Sequence, residues 1–320
     1  MYPEPQASTC LFCGGECASK VAYPGEQHDG PIACRSIAIC ATCGGGTALP
    51  RPTQEALDRY YESGAYWHAT GGQAQRAHSA SQAWMRVARL RPLLPGGTRL
   101  KVADIGAGHG GIAMALEGQA IPVARYEYVE LDAAASSTVG ALPLPFAVVS
   151  RPRIADLGRD LDLVFLNHVV EHVAEPVSFL ETVLQHLAPG ALAYVETPHA
   201  DHRFKADVFP HLSFFTPESM LRIGDRLGVR TLACETFGHW LSPRATPRGF
   251  VQRVAARGLA ACAPLGWDKL DRALDRAIWG YGPDASGIWL RWILRARGRG
   301  TSLDEAGLRN QGPLHRAEPF

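Results

Sequence analysis

The chain has 320 residues, 46% hydrophobic and 20% charged, which are ordinary values for a globular protein and allow one large domain plus a small one. Its formal net charge of +1 gives no strong nucleic-acid signature and no general attraction to anionic membranes. No run approaches the ~18 uninterrupted apolar residues of a transmembrane segment, and the N-terminus lacks the features of a signal peptide. We therefore expect a cytoplasmic protein.

Cysteines dominate the N-terminal segment. Six of the eight lie within the first 43 residues, and they include two Cys-x-x-Cys-Gly sequences. Four thiolates with this spacing suit a tetrahedral zinc ion that stabilises the fold. Residues 1–50 lack the apolar periodicity of a packed core, so metal binding would supply much of their folding energy. The sequence predicts a zinc ribbon over 1–50 with these ligands: Cys10, Cys13, Cys40 and Cys43.

Two amphipathic patterns follow over 51–97, and the second ends at a Pro-Gly-Gly sequence. We expect them to be linker helices that cover the ligand cleft of the next domain. The first pattern carries four aromatic residues that either cap this cleft or pack against the domain surface: Tyr60, Tyr61, Tyr66 and Trp67.

From 98 to 300, short apolar segments alternate with helical stretches. This alternation is typical of an α/β domain in which helices cover both faces of a mostly parallel sheet. The predicted strands are 99–105, 124–131, 146–149, 160–167, 191–197 and 229–236. A helical insertion is expected at 248–285, and the polar segment 301–320 is expected to be a flexible tail.

A glycine-rich turn at 106–111 directly follows the first of these strands. Glycines allow close approach of the backbone to a ligand. The next strand ends at Glu130, where a carboxylate can accept hydrogen bonds from both hydroxyls of a ribose. Nicotinamide enzymes share this arrangement, so the geometry alone leaves the cofactor open.

The motifs decide between these cofactors. Asp104-Ile-Gly106-Ala-Gly108, together with the segments 162–173, 187–199 and 214–229, resembles the ordered motifs of class I S-adenosylmethionine methyltransferases. The resemblance implies a Rossmann-like, seven-stranded domain with an antiparallel last strand. It also implies the following cofactor-binding residues: Asp104, Gly106, Gly108, Glu130, Asp156 and Asn167.

Their roles follow from the same resemblance. Gly106 and Gly108 would lie against the cofactor, with Asp104 near its amino-acid end and Glu130 on its ribose. Asp156 is a candidate for the adenine amine, or else a solvated loop acid.

The arginine-rich segment at 287–298 corresponds to the family's last strand, which would leave its arginines in solvent. The alternative is a basic amphipathic segment that contacts lipid or a phosphorylated substrate.

The cysteine segment and the linker at 49–61 are similar to those of bacterial small-molecule methyltransferases, including sugar C-methyltransferases. The chain is too short for the second C-terminal domain of the sugar enzymes, and 240–300 matches no substrate domain that we can name. The resemblance therefore does not extend to a deoxysugar substrate.

His168, Glu171 and His172 have the i, i+3, i+4 spacing that places side chains on one side of a helical turn. With His211, they resemble the metal site of small-RNA 2′-O-methyltransferases and ubiquinone-pathway O-methyltransferases, in which a divalent ion activates the acceptor hydroxyl. A histidine in place of the family's first glutamate would shift the preference from magnesium toward zinc, manganese or iron. A metal site, a general base without metal and a structural role all stay open.

We expect a methyltransferase that acts on O, C or N of a small molecule or glycan precursor, with histidine as the general base. The alternatives are a catalytically silent interaction module and a metal-assisted RNA 2′-O-methyltransferase. The sequence leaves open the acceptor, a protein partner and a homodimer.

Overall fold

The computed structural model describes residues 9–25, 30–64, 73–238 and 287–297, without the side chains of 73–81. The predicted helical insertion, the predicted tail, Tyr66 and Trp67 lie outside these residues. No helix within the described ranges is long and apolar enough to cross a membrane.

The described strands are β1 (Cys17–Ala22), β2 (Ser36–Cys40), β3 (Gly46–Leu49), β4 (Leu100–Ile105), β5 (Val123–Val129), β6 (Ala147–Ser150), β7 (Leu161–Asn167), β8 (Leu187–Pro198), β9 (Ser213–Phe214), β10 (Arg230–Phe237) and β11 (Trp289–Arg295). The helices are α1 (Gln54–Glu62), α2 (Gln73–Leu90), α3 (Gly111–Gly118), α4 (Ala133–Gly140), α5 (Pro176–Leu184) and α6 (Pro217–Leu227). Short 3₁₀ turns lie at Arg91–Leu93, Ile154–Asp156, Val170–His172 and Asp201–Arg203.

Seven strands form the main sheet in the order β10-β11-β8-β7-β4-β5-β6. The pairs from β8 to β6 are parallel, whereas β11 runs antiparallel to both β8 and β10. Separate apolar clusters cover the two faces. This burial on both sides explains why β4 and β7 are almost continuously apolar. The predicted fold, including its antiparallel last strand, is confirmed.

The strand order reverses beside β4, whose neighbours are β5 and β7. In an open α/β sheet, such a reversal leaves a crevice outside the carboxyl ends of the strands, where ligands bind. The segments that follow β4, β5, β7 and β8 therefore border the expected ligand site.

A second, four-stranded antiparallel sheet has the order β1-β2-β3-β9. Its first three strands come from the cysteine-rich segment, which we call the cysteine module (9–49). The fourth strand, β9, follows the long β8 of the main sheet. One short stretch of chain therefore connects the two sheets.

Strand β11 corrects the expectation of solvated arginines. Arg291 is only 4% exposed, and its Nε donates to Glu235 Oε1 at 2.6 Å. Its guanidinium carbon also lies 4.4 Å from the centre of the Phe237 ring. The family resemblance predicted this strand correctly, but it could not show that a carboxylate on β10 allows the arginine to be buried.

We predict that Arg291→Ala lowers the free energy of unfolding by about 2–4 kcal/mol, because the change removes a buried ion pair and its aromatic packing. Urea unfolding followed by circular dichroism measures the change. The matched control is Arg297→Ala, at an exposed position, which should stay within about 0.5 kcal/mol. Equal losses in the two variants would contradict the role assigned to the buried pair.

Candidate functional site

The glycine turn lies directly after β4. Gly106 has φ +72°, and a Cβ there would lie 2.5 Å from Val169 Cγ2. The amide of Gly108 donates to Glu130 Oε2 at 2.7 Å, and that of Asp132 donates to Oε1 at 3.0 Å. The structure thus brings Gly106, Gly108 and Glu130 together at one edge of the sheet, and both oxygens of Glu130 accept backbone hydrogen bonds.

Asp104 is 1% exposed near the end of β4. Its Oδ2 accepts a hydrogen bond from the Tyr126 hydroxyl at 2.6 Å, whereas its Oδ1 is buried without a hydrogen-bond partner. Burial raises the pKa of this carboxyl to about 7, although the hydrogen bond from Tyr126 opposes the shift. Leaving a buried oxygen unsatisfied is costly, so this environment favours a ligand that donates hydrogen bonds and carries positive charge.

Asn167 ends β7, the strand beside β4, and its Oδ1 is likewise buried without a hydrogen-bond partner. The sheet therefore presents two unsatisfied acceptor oxygens on neighbouring strands. An ammonium group is a suitable partner for both, because it carries positive charge and three donors. Asp156, in contrast, is exposed in the 3₁₀ turn between β6 and β7.

Glu171, His172 and His211 form what we call the rim cluster. One potential ligand atom from each residue lies within 4.8 Å of the other two. Glu171 Oε1 is 3.8 Å from His172 Nε2, and the two imidazole rings lie 4.8 Å apart. His211 Nδ1 lies 3.0 Å from Asp201 Oδ2.

Within the rim cluster, the pKa values of Glu171 and His172 are both lowered. Burial would raise the pKa of Glu171, but the hydrogen bond from His168 and the nearby histidines lower it to about 2. Burial lowers the pKa of His172 to about 3. At neutral pH the cluster therefore offers an ionised carboxylate and a neutral imidazole, which are the protonation states needed by a metal ligand or a base.

His168 differs from the expectation that it shares a helical turn with Glu171 and His172. It lies before the 3₁₀ turn, with φ 55°, in the left-handed region. Its Nδ1 is 3.2 Å from Glu171 Oε1, and its Nε2 is 3.4 Å from Glu196 Oε1. Burial would lower the pKa of His168, but the two carboxylates outweigh burial and raise it. The ring therefore holds its proton more strongly than an ordinary imidazole does.

Sequence reasoning missed Glu196 and Asp201. Glu196 is 2% exposed on β8, forms an ion pair with Arg86 of α2, and accepts a hydrogen bond from the Tyr194 hydroxyl at 2.7 Å. Asp201 is 1% exposed, and its pKa is lowered to about 2 by His211 and Lys205 despite its burial. A carboxylate within an apolar strand was the available signal for Glu196, because such a charge needs a partner.

Aromatic rings flank both ends of this arrangement. Tyr61 of α1 lies edge-on to His172, with ring centres 5.7 Å apart. Trp289 of β11 lies edge-on to His168 at 4.8 Å. Tyr60 packs against Phe209 at 5.8 Å. Tyr61 thus borders the rim cluster, whereas Tyr60 packs against the segment that leads to His211.

The four predicted cysteine ligands come together in the cysteine module. The Sγ atoms of Cys10 and Cys43 are 3.6 Å apart, and those of Cys13 and Cys40 are 3.5 Å apart. The amides of Gly15 and Cys43 donate to the sulfurs of Cys13 and Cys40 at 3.4 and 3.5 Å, respectively. The hydrogen bond between the Cys10 and Cys43 sulfurs lowers the pKa of the Cys10 thiol.

Comparisons with known proteins identify the family of the α/β domain. A family model described as "Methyltransferase domain" matches residues 74–233, which is half of the chain. A ubiquinone biosynthesis O-methyltransferase from Rhizobium rhizogenes is 27% identical over 183 residues, covering 53% of this chain and 71% of that protein. A second, from Sinorhizobium fredii, is 26% identical over 190 residues, covering 55% and 74%, respectively.

Among solved structures, an S-adenosylmethionine-dependent methyltransferase from Archaeoglobus fulgidus is 18% identical with a TM-score of 0.44, covering 73% of this chain and 99% of that one. The family match covers the strands and turns that form the site described above. The chain therefore belongs to the methyltransferase domain family and is a class I S-adenosylmethionine-dependent methyltransferase.

Proposed function

We propose that the chain methylates a hydroxyl oxygen of a small molecule and that the rim cluster activates this hydroxyl. The observation that carries the proposal is the convergence of Glu171 and His172, in the turn after β7, with His211, in the chain before β9. The name of the relatives, ubiquinone biosynthesis O-methyltransferase, favours oxygen over carbon or nitrogen as the methylated atom.

The cofactor would lie at the ends of β4, β5 and β7. Its ammonium group would satisfy the buried Oδ1 atoms of Asp104 and Asn167. Gly106 and Gly108 leave room for the backbone to approach the ligand, and Glu130 would accept hydrogen bonds from the ribose. Asp156 remains a candidate for the adenine amine, and its exposure requires the cofactor to reach the turn between β6 and β7.

The rim cluster has the chemistry of a divalent metal site. One carboxylate and two imidazoles suit zinc, manganese or iron, and such an ion would lower the pKa of the acceptor hydroxyl. The carboxylate of Asp201 beside His211 is the kind of outer neighbour that metal-binding histidines usually have. His168 would not be a ligand but would hold Glu171 in place.

A metal-free mechanism is the second candidate, because His172 is neutral and able to accept a proton, although its pKa of about 3 makes it a weak base. In that case His172 would take the proton of the acceptor hydroxyl, while Glu171 stabilises the imidazolium that forms. An RNA acceptor is less favoured, because the net charge of +1 offers little attraction to phosphates. A silent scaffold would have no use for the costly burial of Asp104.

We also propose that the four cysteines hold a structural zinc ion. Zn–S bonds of about 2.3 Å in a tetrahedron place the sulfurs about 3.8 Å apart, close to the two sulfur pairs described above. Amide donors to sulfur stabilise the thiolate form that binds metal. A cysteine-rich metal module suits the reducing cytoplasm, which stays the predicted location.

The first prediction for this site concerns Asp104→Asn. The folded pKa of about 7 lies above the ordinary value of 3.8, so ionisation penalises the cofactor-free fold. The penalty is absent below about pH 4, grows as the pH rises and is complete above about pH 7, where it reaches about 4 kcal/mol. The variant should therefore be more stable than the wild type at about pH 8 in urea unfolding, with little difference at about pH 4.

The same variant should lose at least tenfold in affinity for S-adenosylhomocysteine by calorimetry. Asp162→Asn is the matched control, because Asp162 on β7 only accepts a hydrogen bond from the Lys101 amide. Its affinity should stay at the wild-type value. An Asp104→Asn protein that binds as tightly as the wild type would rule out the proposed ammonium contact.

The second prediction concerns His211→Ala. We expect turnover to fall by about 100-fold or more, with little change in affinity for S-adenosylhomocysteine. Turnover is measured with labelled S-adenosylmethionine and a panel of small phenols and alcohols. Binding of Mn²⁺, followed by electron paramagnetic resonance, should be lost in the variant, whereas it persists in His202→Ala, whose ring packs on Phe214.

Turnover that survives in His211→Ala would refute the proposed site. Turnover that depends on His172 but needs no divalent ion in the wild type would select the metal-free mechanism.

A further inference from the structure

We propose that the cysteine module positions the rim cluster. The Leu212 backbone connects the two, and Thr216 is a positioning residue. The inference rests on the proposed function, because it assigns a catalytic consequence to the location of His211. The structural connection itself can be tested without any activity.

Two backbone hydrogen bonds join the cysteine module to the rim cluster. The Ala48 amide of the cysteine module donates to the Leu212 carbonyl at 2.9 Å, and the Leu212 amide donates to the Glu171 carbonyl at 2.7 Å. The residue directly after His211 therefore bonds to the module through its carbonyl and to the rim through its amide. His211 directly precedes this residue, so its backbone position depends on both bonds.

The pairing of β9 extends this connection. Thr47 pairs with Ser213 and Gly46 pairs with Phe214, so β3 fixes the register of the residues that follow Leu212. Gly46 lies three residues after Cys43 in the second cysteine turn. The position of that turn therefore constrains the segment that carries His211, because only a few residues separate the turn from the strand pairing.

Side chains make a second connection. The Thr216 hydroxyl donates to the Cys43 carbonyl at 2.7 Å, and it accepts a hydrogen bond from the Ser219 amide at 3.1 Å as the cap of α6. Phe12 of the first cysteine turn packs on Phe215, with ring centres 5.0 Å apart. Both cysteine turns thus contact the segment just after β9.

These contacts bind the segment 211–216 to a part of the chain whose own stability depends on four cysteines. Weakening the second cysteine turn should therefore loosen His211 relative to Glu171 and His172. Asp104 and Glu130 are positioned by the main sheet, so binding of the cofactor should change little. A merely supporting module would instead change overall stability without separating turnover from cofactor binding.

Thr216→Val tests the connection, because it removes the hydroxyl that bonds to Cys43. Thr216→Ser is the conservative variant, since it retains that hydroxyl. Ser219→Ala is the matched control: it removes the other half of the capping box, in which Ser219 Oγ accepts from the Thr216 amide, and keeps the bond to Cys43. Cys43→Ser disrupts the cysteine cluster directly, and the threonine variants keep the test valid if that protein does not fold.

The measurements are hydrogen exchange at the Leu212 amide, affinity for S-adenosylhomocysteine, and turnover. In Thr216→Val we expect Leu212 exchange to rise about tenfold and turnover to fall about tenfold, with affinity within twofold of the wild type. Thr216→Ser should restore both, and Ser219→Ala should resemble the wild type.

Unchanged Leu212 exchange in Thr216→Val, or equal effects in Thr216→Val and Ser219→Ala, would overturn the proposal. If His211→Ala leaves turnover intact, the proposed function fails, while Leu212 exchange still tests the connection separately.

Discussion

Two hydrogen bonds of the Leu212 backbone connect the cysteine module with the rim cluster. The cysteine module has little apolar core of its own, and its sheet is completed by β9 from the methyltransferase fold. The rim cluster, in turn, needs residues from two segments, the turn after β7 and the chain before β9. Because Leu212 bonds to Ala48 and Glu171 at once, the module and the rim form one hydrogen-bonded unit.

The cofactor side of the site differs from the rim in the charges that surround its buried carboxylate. The end of β4 buries Asp104 with one oxygen unsatisfied, and that arrangement costs stability in the absence of a ligand. A cationic group would remove the cost on binding. The rim instead balances its charges internally, since His168 lies between Glu171 and Glu196. Within the described part of the chain, the cofactor half of the site therefore lacks a positive charge paired with Asp104, whereas the rim already contains one beside its carboxylates.

The sequence was sufficient for what depends on local pattern. Apolar periodicity located the strands of the main sheet, and the Cys-x-x-Cys spacing located the sulfur cluster. It was insufficient where a distant partner decides the outcome. The burial of Arg291 depends on Glu235 across β10, the position of His168 depends on Glu196, and β9 is only two residues long, too short to show a period. The roles of the site residues remain predictions, because only measurements of binding and turnover can test them.

The central claim is that the rim cluster is the place where the acceptor reacts. Diffraction from crystals grown with S-adenosylhomocysteine and Mn²⁺, recorded at the manganese and zinc absorption edges, tests it most directly. We expect manganese between Glu171, His172 and His211, zinc among the four cysteines, and the ammonium group of the ligand at Asp104. Manganese bound elsewhere, together with a ligand whose sulfur points away from the rim, would contradict it.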